Sequence, residues 1–114
     1  MQTFTENELY YLAGLLEGEG SFCAATNNYG RRYITIKVKM TDYDIIEWVA
    51  NKWECNIYTE HFENHYKTAY TVQLRRKAEC IELLNMIKPL MGRRRAERIT
   101  EILDEFECME VQNG

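Results

Sequence analysis

The sequence predicts an α+β fold, αββαββα with an added C-terminal helix, in which a four-stranded antiparallel sheet carries its helices on one face and leaves the other free. Two observations predict it. Apolar residues recur at helical spacing in four segments, and between those segments lie two pairs of short runs that alternate apolar and polar residues as half-buried strands do. A chain of 114 residues suits a single domain over residues 1–114, and one so small buries only about two thirds of its unfolded surface, which favours dimerisation.

Thr5-Glu6-Asn7-Glu8 has the form of a capping box, so the first helix begins there, and Leu9, Leu12, Ala13, Leu15 and Leu16 give it an apolar face to about residue 18. Gly18 and Gly20 are expected to end it through the permissive backbone of a C-cap. Ser21 to Thr26 reads as a strand and Asn27-Asn28-Tyr29-Gly30 as the loop of a hairpin. In the next strand Ile34, Ile36, Val38 and Met40 alternate with Tyr33, Thr35, Lys37 and Lys39, so one face is apolar and the other polar and basic.

Asp42 is positioned to cap a second helix over about residues 43–54, with Ile45, Ile46, Trp48, Val49 and Trp53 as its apolar stripe. A second hairpin is expected from Ile57 to Phe62 and Ala69 to Arg75, joined through Glu63 to Lys67. A third helix, Ala78 to Ile87, is stopped by Pro89, and a fourth, Arg93 to Glu107, turns Ile99, Ile102, Leu103 and Phe106 to one side.

No run approaches the roughly 20 apolar residues of a membrane span, and the N-terminus lacks the basic-then-apolar order of a secretory signal, so a cytosolic protein without a membrane partner is expected. Cys23, Cys55, Cys80 and Cys108 lie too far apart for a Cys-x-x-Cys motif and read as reduced, buried thiols. The net charge of −4 argues against a nucleic-acid partner. Its distribution argues the other way: Arg31, Arg32, Lys37 and Lys39 fall in a stretch without acids, while six acids crowd between Glu97 and Glu110.

The run Leu12-Ala13-Gly14-Leu15-Leu16-Glu17-Gly18-Glu19-Gly20-Ser21-Phe22 combines three features that a plain amphipathic helix lacks. Gly14 and Gly18, with Ala13 beside them, leave a stripe where another backbone can approach, at a cost of about 0.5–1 kcal/mol per interior glycine. Glu17 and Glu19 lie at a helix C-terminus, where the macrodipole disfavours carboxylates unless a bound cation such as Mg²⁺ reverses the local electrostatics. The acids lead directly into a hairpin whose outer face is basic, suited to phosphates. Two solvated acids, or two glycines that merely end a helix, remain the plainer alternatives.

That run resembles, position by position, the signature of the LAGLIDADG homing endonucleases, with Glu17 and Glu19 in its two acidic positions. The αββαββα order and Ile87-Lys88-Pro89-Leu90 ahead of a basic helix are similar too. The resemblance implies a site-specific DNA endonuclease in which the motif helices of two domains pack together through Leu12, Ala13, Gly14, Leu15, Leu16 and Gly18. It makes Glu19 the ligand for Mg²⁺ or another divalent cation, where the family more often has Asp, and leaves Glu17 to structure the helix end. Because the chain has one motif, the resemblance implies a homodimer acting on duplex DNA at a palindromic or near-palindromic site, with no small-molecule cofactor.

In that family the free sheet face is a saddle lying in the major groove. The matching positions are Cys23, Ala25, Asn27, Arg31, Arg32, Tyr33, Thr35, Lys37 and Lys39, joined by Thr71, Gln73 and Arg75 of the second hairpin. Glu60 reads equally as a base contact or a solvated strand residue. A basic residue ahead of the last helix assists catalysis in the family; Arg93, Arg94 and Arg95 occupy that region, with Arg93 and Arg94 the candidates. Asp42 matches a residue that orients water, although capping is its simpler role. His61 and His65 read as surface residues. A DNA-binding protein without cleavage, serving as a repressor or splicing cofactor, and a protein-interaction dimer remain as alternatives.

Overall fold

The computed structural model describes residues 1–61 and 67–113, with side chains through Phe106. The elements are α1 (Glu6–Glu19), β1 (Gly20–Thr26), β2 (Arg32–Met40), α2 (Tyr43–Trp53), β3 (Ile57–His61), β4 (Thr68–Leu74), α3 (Lys77–Ile87) and α4 (Arg93–Asn113), with a 3-10 turn at Lys88–Leu90 that contains Pro89. The α+β class and the four-stranded antiparallel sheet are those the sequence predicts. Strand order β1-β2-β4-β3 joins the two hairpins through β2 and β4 at the centre. The expected strand end at Phe62, and the joining residues Glu63, Asn64, His65 and Tyr66, lie outside the described residues.

The capping box forms as expected. Glu8 N donates to Thr5 Oγ1 at 3.1 Å, and Thr5 N donates to Glu8 Oε1 at 2.9 Å. The other end of α1 differs from expectation. Its C-cap Gly20 has φ −83° and ψ 160°, so no left-handed residue ends the helix. Gly20 is needed for space instead: a Cβ would lie 2.6 Å from Leu16 O, where α1 passes directly into β1. Asp42 stands at the N-cap position of α2, yet its side chain makes no capping hydrogen bond, which corrects the capping role.

Ile34, Ile36 and Val38 of β2, with Val72 and Leu74 of β4, turn toward the helices and form one core with Leu12, Leu16, Trp53, Ile99 and Phe106. Leu12 and Leu16 are fully buried in it and Ala13 is 3% exposed. Burial inside their own protomer removes these three from the expected helix-to-helix contact. What α1 presents outward is Gly14, Gly18 and part of Leu15, beside Tyr10 and Tyr11, which are about half exposed. A Cβ added at Gly14 or Gly18 would meet nothing within 4 Å.

Cys80 is buried and its thiol points at Leu74 O, 3.2 Å away; burial pushes its pKa up to about 12. Cys23, by contrast, is exposed, against the expectation of burial, and the side chain of Cys108 lies outside the described residues. No described helix is long and apolar enough to cross a membrane.

Candidate functional site

Paired residues of an antiparallel sheet share a face, so the registers define the outer surface row by row. Ser21, Lys37 and Gln73 form one row, Cys23 and Thr35 a second, Ala25 and Tyr33 a third, and Lys39, Thr71 and Tyr58 a fourth. Of the residues expected there, Cys23, Ala25, Tyr33, Thr35, Lys37, Lys39 and Gln73 are on this face, and Arg75 lies exposed beyond the end of β4. Asn27 and Arg31 lie in the β1–β2 loop, where Asn27 Oδ1 accepts from Tyr29 N and Arg31 N at 2.9 Å each.

Two residues depart from expectation. Arg32 has the parity of Ile34 and turns to the helix side, where it pairs with Glu105 of α4 and donates to Thr26 Oγ1 at 2.9 Å. Its guanidinium ties β2 to α4 and is absent from the outer face. Thr71 does face outward but is only 4% exposed, and its hydroxyl has no hydrogen-bond partner among the described residues. Lys39 of β2 bonds Glu60 of β3 at 2.7 Å, a pair that spans β4. That pair holds the Glu60 carboxyl below its usual range and answers the ambiguity about Glu60.

Ser21 and Tyr58, which the sequence reading omitted, belong to the outer rows; extending the alternation of β1 and β3 by parity finds both. His61 contacts Thr68 across the β3–β4 pair at 3.3 Å, and His65 lies outside the described residues.

At the end of α1 the two acids have separate surroundings. Gly92 N, at the start of α4, donates to Glu17 Oε2 at 3.3 Å, and Glu17 stands so close that a Cβ on residue 92 would lie 2.5 Å from Oε1. Arg95 answers from α4: Nε donates to Glu17 O and Nη1 to Gly20 O, both at 2.8 Å. Each helix thus supplies the charge that the other's terminus requires. α1 ends without a basic residue in its last turn and α4 begins without an acid in its first, and the exchange supplies both.

Glu19 is exposed, and among the described residues nothing donates to its carboxylate or pairs with it. It lines an open depression of about 440 Å³ with Lys39, Met40, Thr41, Asp42 and Ala69. A second hollow, about 370 Å³, is lined by Gly20, Ser21, Phe22, Arg94, Arg95 and Arg98. Arg94 therefore borders the start of β1. Arg93 is elsewhere: it bonds Glu97 at 3.1 Å and borders a groove with Ala96, Thr100 and Glu101.

The donor chemistry around Glu19 fits a hard divalent cation in kind, since Glu19 and Asp42 offer carboxylate oxygens in one open depression. Among the described residues no cluster of three such ligands forms within one chain.

No protein-family model matches the chain, and no curated protein matches it by sequence. Solved structures do share its fold. The homing endonuclease I-TnaI aligns with a TM-score of 0.65 at 13% identity, over 96% of this chain and 78% of that one. I-CvuI, a homing endonuclease in complex with its target in the presence of calcium, aligns at 0.64 and 14% identity, over 86% of this chain and 64% of that one. The LAGLIDADG meganuclease I-CpaMI, bound to uncleaved DNA, aligns at 0.62 and 17% identity, over 95% of this chain and 40% of that one. This chain spans less than two thirds of the last two. At these identities the likeness is one of architecture, and that architecture is the LAGLIDADG homing endonuclease fold.

Proposed function

We propose that the chain is a site-specific DNA endonuclease that works as a homodimer and makes a metal-dependent, staggered double-strand cut at a palindromic or near-palindromic site. The observation that carries this reading is the contrast between the two acids of α1. Glu17 is engaged by Gly92 and Arg95, whereas Glu19 stands unpaired beside Asp42 at the edge of a sheet face bearing Lys37 and Lys39. An unpaired carboxylate at a helix C-terminus opposes the dipole, and a cation relieves that opposition. Structural neighbours support DNA as the partner: I-CvuI was solved with its target in the presence of calcium and, separately, with a DNA target left uncleaved in the presence of magnesium, and I-CeuI was solved complexed with DNA.

Glu19 is the residue that would hold the ion, with Asp42 beside it in the same depression. When bound, it supplies Lewis-acid polarisation of a phosphoryl oxygen and makes water a better nucleophile. Asp42 is free to orient the attacking water because its carboxylate is not spent on capping α2. Arg94, too basic to exchange a proton at neutral pH, offsets negative charge on the phosphate. Lys37 and Lys39 attract the backbone, while Tyr33, Thr35 and Gln73 face the base edges. Two copies meeting along Gly14 and Gly18 would bring a Glu19 to each strand, and their twofold axis explains the palindromic preference.

A randomised duplex library incubated with protein and Mg²⁺, with Glu19→Gln protein in parallel, tests the reading by sequencing of new ends. Enrichment of a palindromic site with staggered ends is expected, lost in Glu19→Gln while binding persists. Sites bound but never cut by the unaltered protein would instead support a DNA-binding protein without cleavage, and no enrichment would overturn the DNA reading.

A further inference from the structure

Among the described residues Glu19 has no side-chain partner, so what they fix of its position comes through the backbone on either side of it. Arg95 grips that backbone. Its guanidinium donates to Glu17 O and Gly20 O, at 2.8 Å each, and so brackets the short segment that carries Glu19, at the 17–18 and 20–21 peptide units. The side chain is only 18% exposed, its charge lies 3.9 Å from Glu17 Oε2, and its guanidinium carbon sits 5.7 Å from the centre of the Phe22 ring. From the other side, Gly20 N donates to Leu16 O, and Gly20 fits against Leu16 with no room for a Cβ. Residues 17–20 are therefore pinned between α4 and the core, just where α1 turns into β1.

We propose that Arg95 is a positioning residue: its planar fork sets the direction in which Glu19 projects into the depression it shares with Asp42. The proposal rests on the nuclease reading for its consequence in catalysis. A lysine cannot reproduce the fork, because one ammonium cannot bridge two carbonyls with the same rigid geometry. Displacement of a catalytic group by about 1 Å can cost on the order of 100-fold in rate. Of three adjacent arginines the sequence reading took Arg93 and Arg94 as candidates; the geometry gives Arg95 the role of holding the site and leaves Arg94 facing outward beside it.

Arg95→Lys, which keeps the charge, is the test, with Arg95→Ala and Glu19→Gln beside it. Four quantities are read: the cleavage rate, the Mg²⁺ concentration for half-maximal cleavage, duplex affinity in Ca²⁺, and amide hydrogen exchange at residues 18–21. The expected result for Arg95→Lys is a cleavage rate lower by roughly 10- to 100-fold, a raised Mg²⁺ requirement, unchanged affinity in Ca²⁺, and faster exchange at those amides. A lowered melting temperature with the Mg²⁺ requirement, rate and local exchange all unchanged would assign Arg95 a merely structural role and overturn the proposal. If the unaltered protein cuts nothing, the nuclease reading fails by itself. Positioning is then decided by local exchange and by Mn²⁺ titration of the protein alone: both unchanged in Arg95→Lys would overturn it, and faster exchange with weaker Mn²⁺ binding would support it.

Discussion

Glu17 and Glu19 stand two residues apart, and tertiary structure gives them different work. The sequence shows that both acids oppose the α1 dipole, but it could not show that Gly92 and Arg95 answer only the first of them. Two cysteines separate in the same manner. Cys80 sits in the core with its pKa pushed up to about 12, while Cys23 is exposed on β1. An aromatic disulfide reagent at neutral pH should therefore label Cys23 in the native protein and Cys80 only after denaturation. Mass mapping checks this, and native labelling of Cys80 would contradict the packing described. Glu8 offers a pH test. Lys52, and then the Thr5 amide, hold its carboxyl below the ordinary 4.5. Its contribution to stability is thus complete above that value and lost as pH falls through the lower folded value. Glu8→Gln should flatten the decline of melting temperature in acid while leaving the neutral region little changed in slope.

At the scale of elements, what was legible in the sequence was what is local. The capping box of α1 and the alternation of β2 involve neighbours within a few residues, and both appear as expected. Thr5→Ala should cost about 1 kcal/mol, or roughly 4 °C in melting temperature for a domain of this size; calorimetry measures it. Alternation failed where an element's own period does not decide exposure. Thr71 has outward parity yet lies beneath a Lys39–Glu60 pair drawn from two other strands, and Arg32 belongs by parity to the helix side. Contact between α1 and α4 joins residues 78 apart in sequence and left no periodic signal. A double-mutant cycle tests it: Glu17→Ala removes the accepting carboxylate, and Gly92→Ala keeps the donor amide but pushes that carboxylate aside with its Cβ, so the two losses should combine to less than their sum, by about 0.5–1 kcal/mol. Additive losses would show the bond to be idle.

For the whole molecule the informative surface is the one α1 leaves uncovered. The motif's small residues were legible as a packing device, but its leucines were not separable by face, and burial assigns Leu12 and Leu16 to the protomer itself. Gly14→Ala distinguishes a lone protomer from an assembled one. With open space around Gly14, an isolated chain should gain about 0.5–1 kcal/mol from the better helix former. A dimer packed along that stripe should instead dissociate at higher concentration, which sedimentation reads directly. On DNA, the salt dependence of affinity should weaken in Lys37→Ala by about one unit of logarithmic slope per subunit. An unaltered slope would remove Lys37 from phosphate contact.

The exchange between the ends of α1 and α4 also bears on how this protein can vary. Positions 17, 92 and 95 are coupled: a side chain at 92 must turn the Glu17 carboxylate aside, loss of Glu17 leaves the start of α4 without its acid, and loss of Arg95 leaves two carbonyls open. A change at any one of them alters what the other two contact. A library that retargets the sheet face can therefore randomise Tyr33, Thr35 and Gln73 independently, whereas substitutions at 17, 92 and 95 must be drawn together.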